Sequence, residues 1–335
     1  LGWWRIGGAG DMDSEAARAV HRKLLEWFWY EKELQAANRL DMAMDNDFYD
    51  NLQWTAEDAQ VLRDRGQMPL VYNEIAPMVD WIIGTERRSR VDWRVLPRAE
   101  DDVDMADVKT KVLKYVSDIN RVAFTRSRAF ADAVKVGVGW LDDGVRDDPT
   151  QDVIYSKYED WRCVLWDSSA YEPDLSDARY VFRWRWVDED VAVMMFPDRE
   201  AQVRAATHDA NRAAHVADED TWYEMDDGSD ANVNGTLNAA GSGYMVDAKR
   251  NRVRLIECQY REPATVKVVA SGVFKGAIFN PHDEAMGHAI AAAGCMLVDK
   301  TMMRVHVAVF TESDMLCMGP SMFRHNQFSL TPIWC

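Results

Sequence analysis

Carboxylates are the commonest chemically able side chains in this sequence, with 56 Asp and Glu among 335 residues against 39 Lys and Arg. Adjacent pairs recur at Asp142-Asp143, Asp147-Asp148 and Asp226-Asp227. Two carboxylates at the right separation, beside Trp and Tyr rings that stack on sugars, can cleave a glycosidic bond. In so acidic a chain such pairs carry little information. The first 135 residues also read as helices, not as the recurring strands that usually carry glycosidase sites. A carbohydrate-active hydrolase is therefore one alternative reading, and a generic acidic interaction module is another. His282 and His288 are six apart and fall on different faces of a helix. His208 and His215 share a face, but no Cys or carboxylate set converges on them. No phosphate-cradling loop, G-x-G-x-x-G, H-E-x-x-H or G-x-S-x-G is present. Gly137-Val138-Gly139 and Gly241-Ser242-Gly243 read as a helix stop and a flexible loop. The expectation is a chain with no catalytic, metal-binding or cofactor-binding residues, and not an enzyme.

The strongest basic stretch is Arg87, Arg88, Arg90, Arg94 and Arg98, interleaved with Trp93. Basic and aromatic residues together suit nucleic acid, and equally the charged face of a strand leaving a helix. The formal net charge is −17, opposite in sign to a protein that grips phosphates generally by counterion release. A nucleic acid partner must meet local basic patches or slide past a surface that repels it. Five cysteines are scattered without a C-x-x-C pair, so reduced thiols are expected, with neither disulfides nor a zinc site. No apolar run approaches the ~20 residues that a membrane span needs, and Leu1-Gly2-Trp3-Trp4 begins no signal-peptide pattern. No membrane partner is expected.

The elements follow from periodicity and capping. Ser14 caps a first helix whose apolar positions continue to Met44. Thr55-Ala56-Glu57-Asp58 is a near capping box for a second helix, ended by Gly66. A third follows Asn73, with Ile75, Met78, Val79, Ile82 and Ile83 on one stripe. Acidic residues from Glu100 open a long helix to about Lys135, stopped by Gly137 and Gly139.

The period then changes to two, with strands at 153–159, 161–166 and 179–187. In the last, Tyr180, Phe182, Trp184 and Trp186 alternate with Arg179, Val181, Arg183 and Arg185. The aromatic face is expected in the core and the arginine face in solvent, against a neighbouring subunit, or on phosphate. Helices return at 188–196 and from Pro197 to about His215. Residues 218–249, acidic and then rich in Gly and Asn, read as a mobile loop or linker. Beyond them lie strands at 252–260, 264–274 and 302–310, and a short helix from Asp283 to Ala293. The class is α+β, and the length suffices for two domains.

At residues 47–98 the sequence resembles the portal proteins of short-tailed double-stranded DNA phages. The resemblance rests on Trp54, Leu62-Arg63-Asp64-Arg65-Gly66-Gln67, Asn73 to Glu86, and Val95-Leu96-Pro97-Arg98. It continues in order through Ala106-Asp107-Val108, Val136-Gly137-Val138-Gly139-Trp140, Val164-Leu165-Trp166-Asp167-Ser168, Ser176-Asp177-Ala178-Arg179, 253–260 and Leu330-Thr331-Pro332-Ile333. The order and spacing of these motifs together carry the resemblance. The acidic insert departs from close correspondence.

The resemblance implies a helix-rich wing with a small β-sheet at 1–217, helical over 14–136 and mixed over 138–215. The linker at 218–249 and an α/β clip and stem region at 250–335 would follow. The apolar ending looks like a chain cut before the family's tunnel helix, crown and barrel. The resemblance also implies a structural ring of twelve copies at one capsid vertex, assembled in the host cytoplasm and carried in the virion. Such a ring serves genome packaging, ejection and head–tail joining. Its partners would be the terminase, head-completion and tail proteins, coat and scaffold proteins, and DNA in the channel, with no cofactor. Walls built of chains at −17 favour sliding over sticking. Because clip strands of this family pack on the next subunit, 253–260 and 302–310 are the expected contact. Arg254, Tyr260, Arg304 and His306 are its candidate residues.

Overall fold

The computed structural model describes residues 12–89, 93–98, 102–146, 150–214, 246–247, 251–272, 274–279, 284–321, 323 and 326–335. Helix α1 spans Glu15–Leu34, and the Ser14 hydroxyl accepts from the Ala17 N–H at 3.2 Å, as expected of an N-cap. Its buried stripe, Ala17, His21, Leu24, Phe28 and Glu31, keeps helical spacing. The single helix expected to Met44 is two. The chain restarts after Gln35 as α2, Ala36–Tyr49. There the Gln35 amide donates to the Trp166 carbonyl at 2.6 Å and to Glu31 at 3.0 Å, a tertiary anchor that no local pattern announces.

Helix α3, Ala56–Asp64, starts at Thr55, whose hydroxyl accepts from the Asp58 N–H, and Gly66 follows it at φ +72°. The Asn73 side chain accepts from the N–H groups of Ile75 and Ala76, both at 3.1 Å, to open α4, Ile75–Arg88. The long helix expected to Lys135 is also divided, into α5, Val103–Ile119, and α6, Val122–Val136. Arg121 breaks it in the left-handed region at φ +50°, and Gly137 ends α6 at φ +88°.

Two antiparallel sheets follow. The smaller has the order β2-β1-β9, from Ile154–Glu159, Val138–Val145 and Leu330–Trp334. Strand β1 was not expected, since Gly139, Asp142, Asp143 and Gly144 leave it no apolar alternation. Its Gly139 lies so close to α6 that a Cβ would fall 1.8 Å from the Ala129 carbonyl oxygen. The larger sheet has the order β3-β4-β6-β7-β8. Its strands are Val164–Trp166, Tyr180–Asp188, Arg252–Val269, Leu297–Phe310 and Met315–Pro320. The short β5, Val246–Asp247, pairs with β6. Helices α7, Glu189–Met195, α8, Glu200–Ala214, and α9, Glu284–Ala292, complete the order.

The two strands expected at 252–260 and 264–274 are one strand of 18 residues, carried past Pro263 by continuous pairing with β7. Residues 218–245 lie outside the described residues. The break expected at 218–249 does not separate two cores: β4 pairs with β6 and β1 with β9, so both sides build the same two sheets.

The large sheet is covered on both faces, which corrects the expected solvation of the arginine row. On one face Leu24 and Phe28 of α1 pack on Tyr180, Phe182, Trp184, Ile256 and Phe310. On the other, Val164 and Val181 join Val138, Trp140 and Leu330 of the small sheet. Tyr180, Phe182 and Trp184 are buried as expected, while Trp186 is half-buried. Val181 and Arg183 are buried as well; of the alternating set, Arg179 is exposed and Arg185 half-exposed.

Candidate assembly interface

The arginine row is a structural device. Arg183 is 3% exposed and reaches three carboxylates. Its Nη1 donates to Asp142 at 2.6 Å and Glu159 at 3.4 Å, its Nε donates to Glu257 at 3.0 Å, and its Nη2 also bonds Glu257. Arg185 shares Glu159, with Nε at 3.0 Å. Gln259 donates to Glu257 and to the Ser329 hydroxyl, which donates to Asp142 at 3.0 Å. Burial disfavours the Arg183 cation, but Glu257, Asp142 and Glu159 outweigh it and hold the group above the usual arginine range. Buried charges persist only where hydrogen bonds offset lost hydration. Here each belongs to a different strand or its flank, so the cluster fixes the small sheet against β4 and β6. The candidate glycosidase pair Asp142-Asp143 is split by the same geometry. Neighbours in a strand face opposite ways, and Asp142 is buried while Asp143 is exposed.

Beyond this junction β6 and β7 run on as a two-stranded ribbon over Glu262–Val269 and Leu297–Arg304. Four residues were candidates for a subunit contact along these strands. Arg254 and Tyr260 lie inside the subunit: the Arg254 guanidinium covers the Trp186 ring at 4.9 Å, and Tyr260 packs against His306. Neither offers a neighbour any surface. Arg304 and His306 are half-buried at the root of the ribbon, and one Arg304 guanidinium nitrogen is shut from solvent with no acceptor among the described residues. Burial lowers the His306 imidazole, Glu262 opposes this and Arg304 adds to it. Val298 and Met303 are exposed on the ribbon, as is Met296 just before it.

The basic stretch sits elsewhere. Arg87 and Arg88 end α4, and Arg94 and Arg98 follow on a segment whose Val95 N–H bonds Thr110 of α5; all four are exposed, and Arg90 lies outside the described residues. The surroundings are apolar rather than basic. Trp81 is 68% exposed, Leu96 72% and Tyr72 84%, and α5 leaves Val108, Val112, Tyr115 and Ile119, one helical stripe, open to solvent. A helical stripe of four exposed apolar residues suits a protein contact more than a nucleic acid groove. Sequence periodicity detects such a stripe but not that it stays exposed among the described residues.

Among the described residues no group of His, Cys, Asp and Glu is placed to hold a metal ion, and no helix is long and apolar enough to cross a membrane. No curated protein matches the chain. A family model described as Phage P22-like portal protein matches residues 25–335, from within α1 to the end of β9 and beyond. With the match spanning both sheets and nearly all the helices, the chain belongs to the P22-like phage portal protein family, whose members are structural components of phage capsids.

Proposed function

We propose that this chain is the subunit of a portal ring of twelve copies, the channel at one capsid vertex through which double-stranded DNA is packaged and ejected. The observation that carries the reading is the family match over residues 25–335. Two surfaces support it, since a ring needs different, complementary faces on each subunit. One is the open apolar face of α4, α5 and the 93–98 segment, the other the β6–β7 ribbon with Arg304 and His306 at its root. In the terms of the family, the part to about residue 217, helical and then mixed, is the wing, and the region from 250 is the clip and stem.

The work of the ring is mechanical. The terminase, head-completion and tail proteins, coat and scaffold proteins and DNA are the proposed partners, in the virion after assembly in the host cytoplasm. ATP hydrolysis belongs to the terminase. Light scattering after size-exclusion chromatography of the full-length protein tests the proposal. A ring-sized particle is expected. Full-length protein that stays monomeric at high concentration refutes it.

A further inference from the structure

Each sheet has two outer strands, and three of the four are blunted. Strand β3 has only three residues. Strand β8 shifts register against β7 at Val309 and Phe310 and closes on Pro320. At β9 the Asp143 N–H of β1 bonds the Ser329 carbonyl at 3.1 Å, so that Leu330, Pro332 and Trp334 turn their backbone groups outwards. Pro332 has no N–H to offer there, and the middle of that edge cannot pair. Short strands, register shifts and prolines protect exposed edges from added strands.

The fourth outer strand, β2, carries no proline and no register shift, and pairs with β1 alone. The Arg146 N–H bonds the Val153 carbonyl at 2.6 Å. In the register that continues from there, Tyr155, Lys157 and Glu159 bond β1, while Ile154, Ser156 and Tyr158 turn their backbone groups outwards. The Ile154 carbonyl accepts from Asn120 Nδ2 at 3.0 Å, at the junction of α5 and α6. Among the described residues nothing bonds the N–H or carbonyl of Ser156 or Tyr158. An open cleft of about 760 Å³ borders this edge, with Ser156 and Tyr158 on one side. Opposite them stands one face of α6 and its N-cap: Arg121, Phe124, Thr125 and Arg128, at helical spacing, with Phe124 69% exposed.

We propose that the open edge of β2 takes up an extended peptide segment as a fourth strand of the small sheet, one with apolar and acidic side chains in the row that faces α6. Main-chain bonds to Ser156 and Tyr158 hold such a strand, and its side chains alternate between two walls. Most charge beside the cleft is answered within the subunit. Lys157 lies opposite Asp142 in register, with Glu159 also opposing it, and Arg128 stands beside Asp132, which the Tyr158 hydroxyl bonds. Arg121 differs: it is exposed and bonds no carboxylate among the described residues. With Phe124 one turn away, it selects a carboxylate next to an apolar side chain. The inference stands apart from ring formation, because one subunit builds the whole groove.

Isothermal titration of the chain with the peptide Thr-Val-Thr-Glu-Thr-Val-Thr-Glu tests it. Two further forms of the peptide are N-methylated, one on the Thr amides and one on the Val and Glu amides, and a third carries Lys for Glu. The unmodified peptide should bind, and one of the N-methylated forms should lose at least about tenfold in affinity. Ser156→Pro should cost the same, because it removes an outward N–H and leaves the ladder to β1 intact, whereas Ser156→Ala keeps that N–H and should bind like the parent. Thermal melts check that the proline variant folds. Arg121→Asn with Phe124→Ala, both exposed, gives a second test and should also weaken binding by about tenfold. The proposal is overturned if the unmodified peptide does not bind, or if both N-methylated forms bind as well as it does. It is equally overturned if the folded proline variant or the α6 variant binds like the parent, if Ser156→Ala loses as much as Ser156→Pro, or if the Lys peptide binds as tightly as the Glu peptide.

Discussion

Replacing Arg183 by methionine removes the only fully buried cation among three carboxylates. Asp142 is 0% exposed, and Glu159 and Glu257 are buried, so water cannot take the place of the guanidinium. Arg185 is half-exposed and bonds Glu159, so in the variant Asp142 and Glu257 lose the guanidinium that they bond. Breaking a buried ion pair by removing one partner costs about 3–5 kcal/mol. With a urea m-value of roughly 2 kcal/mol/M, the unfolding midpoint should fall by about 1.5–2.5 M.

Neutral replacements separate lost charge from lost packing. Without the cation, two acids are left buried beside one another with their main hydrogen-bonding cation gone. Adding Asp142→Asn and Glu257→Gln to the Arg183→Met chain should recover part of the loss. A midpoint shift below about 0.5 M, or no recovery in the triple variant, would refute the electrostatic account.

Other outcomes follow from the same geometry. Trp184→Ala should cost about 3–5 kcal/mol in urea unfolding, and Trp186→Ala, at a half-buried site, clearly less. Burial pushes Asp132 up to about 6 despite the hydrogen bond from Tyr158. Because that pKa is raised above the ordinary value of 3.8, the cost of ionising Asp132 builds up from about pH 4 and is complete above about pH 6, so Asp132→Asn should gain stability at pH 8 and lose the gain only near pH 4, as denaturation at the two pH values would show. Charge reversal at Arg304 should weaken assembly, read by light scattering, more than the same change at Arg63; equal effects would remove the ribbon from the interface.

The helix starts at Ser14, Thr55 and Asn73 were readable in the sequence because a cap is satisfied within three residues of itself. The breaks at Gln35 and Arg121 were not. Gln35 needs the carbonyl of Trp166, and Arg121 is a non-glycine residue in a left-handed conformation that its neighbours do not signal. Strand β1 was hidden because its alternation is written in Gly and Asp, whose places are set by Ala129 and Arg183. The arginine row at 179–185 was visible as a pattern, yet its meaning depended on Asp142, Glu159 and Glu257, each on another strand. Arg254 and Tyr260 were misplaced for a related reason, since alternation finds two faces but not whether both are covered.

The pairing of β9 with β1 also sets an order of events during synthesis. Gly139 lies opposite Ile333 and Asp142 opposite Leu330, so β1 waits for a partner made about 190 residues later. At ribosomal speeds of roughly 5–20 residues per second, that delay is about 10–40 s. Throughout it the β1–β2 hairpin presents an open backbone edge, a template for the wrong strand. Asp142 meanwhile lacks Ser329, and until β6 is made Glu257 is missing from the arginine cluster as well. Native contacts so distant in sequence make closure slow, so the small sheet is where crowded expression should first go astray.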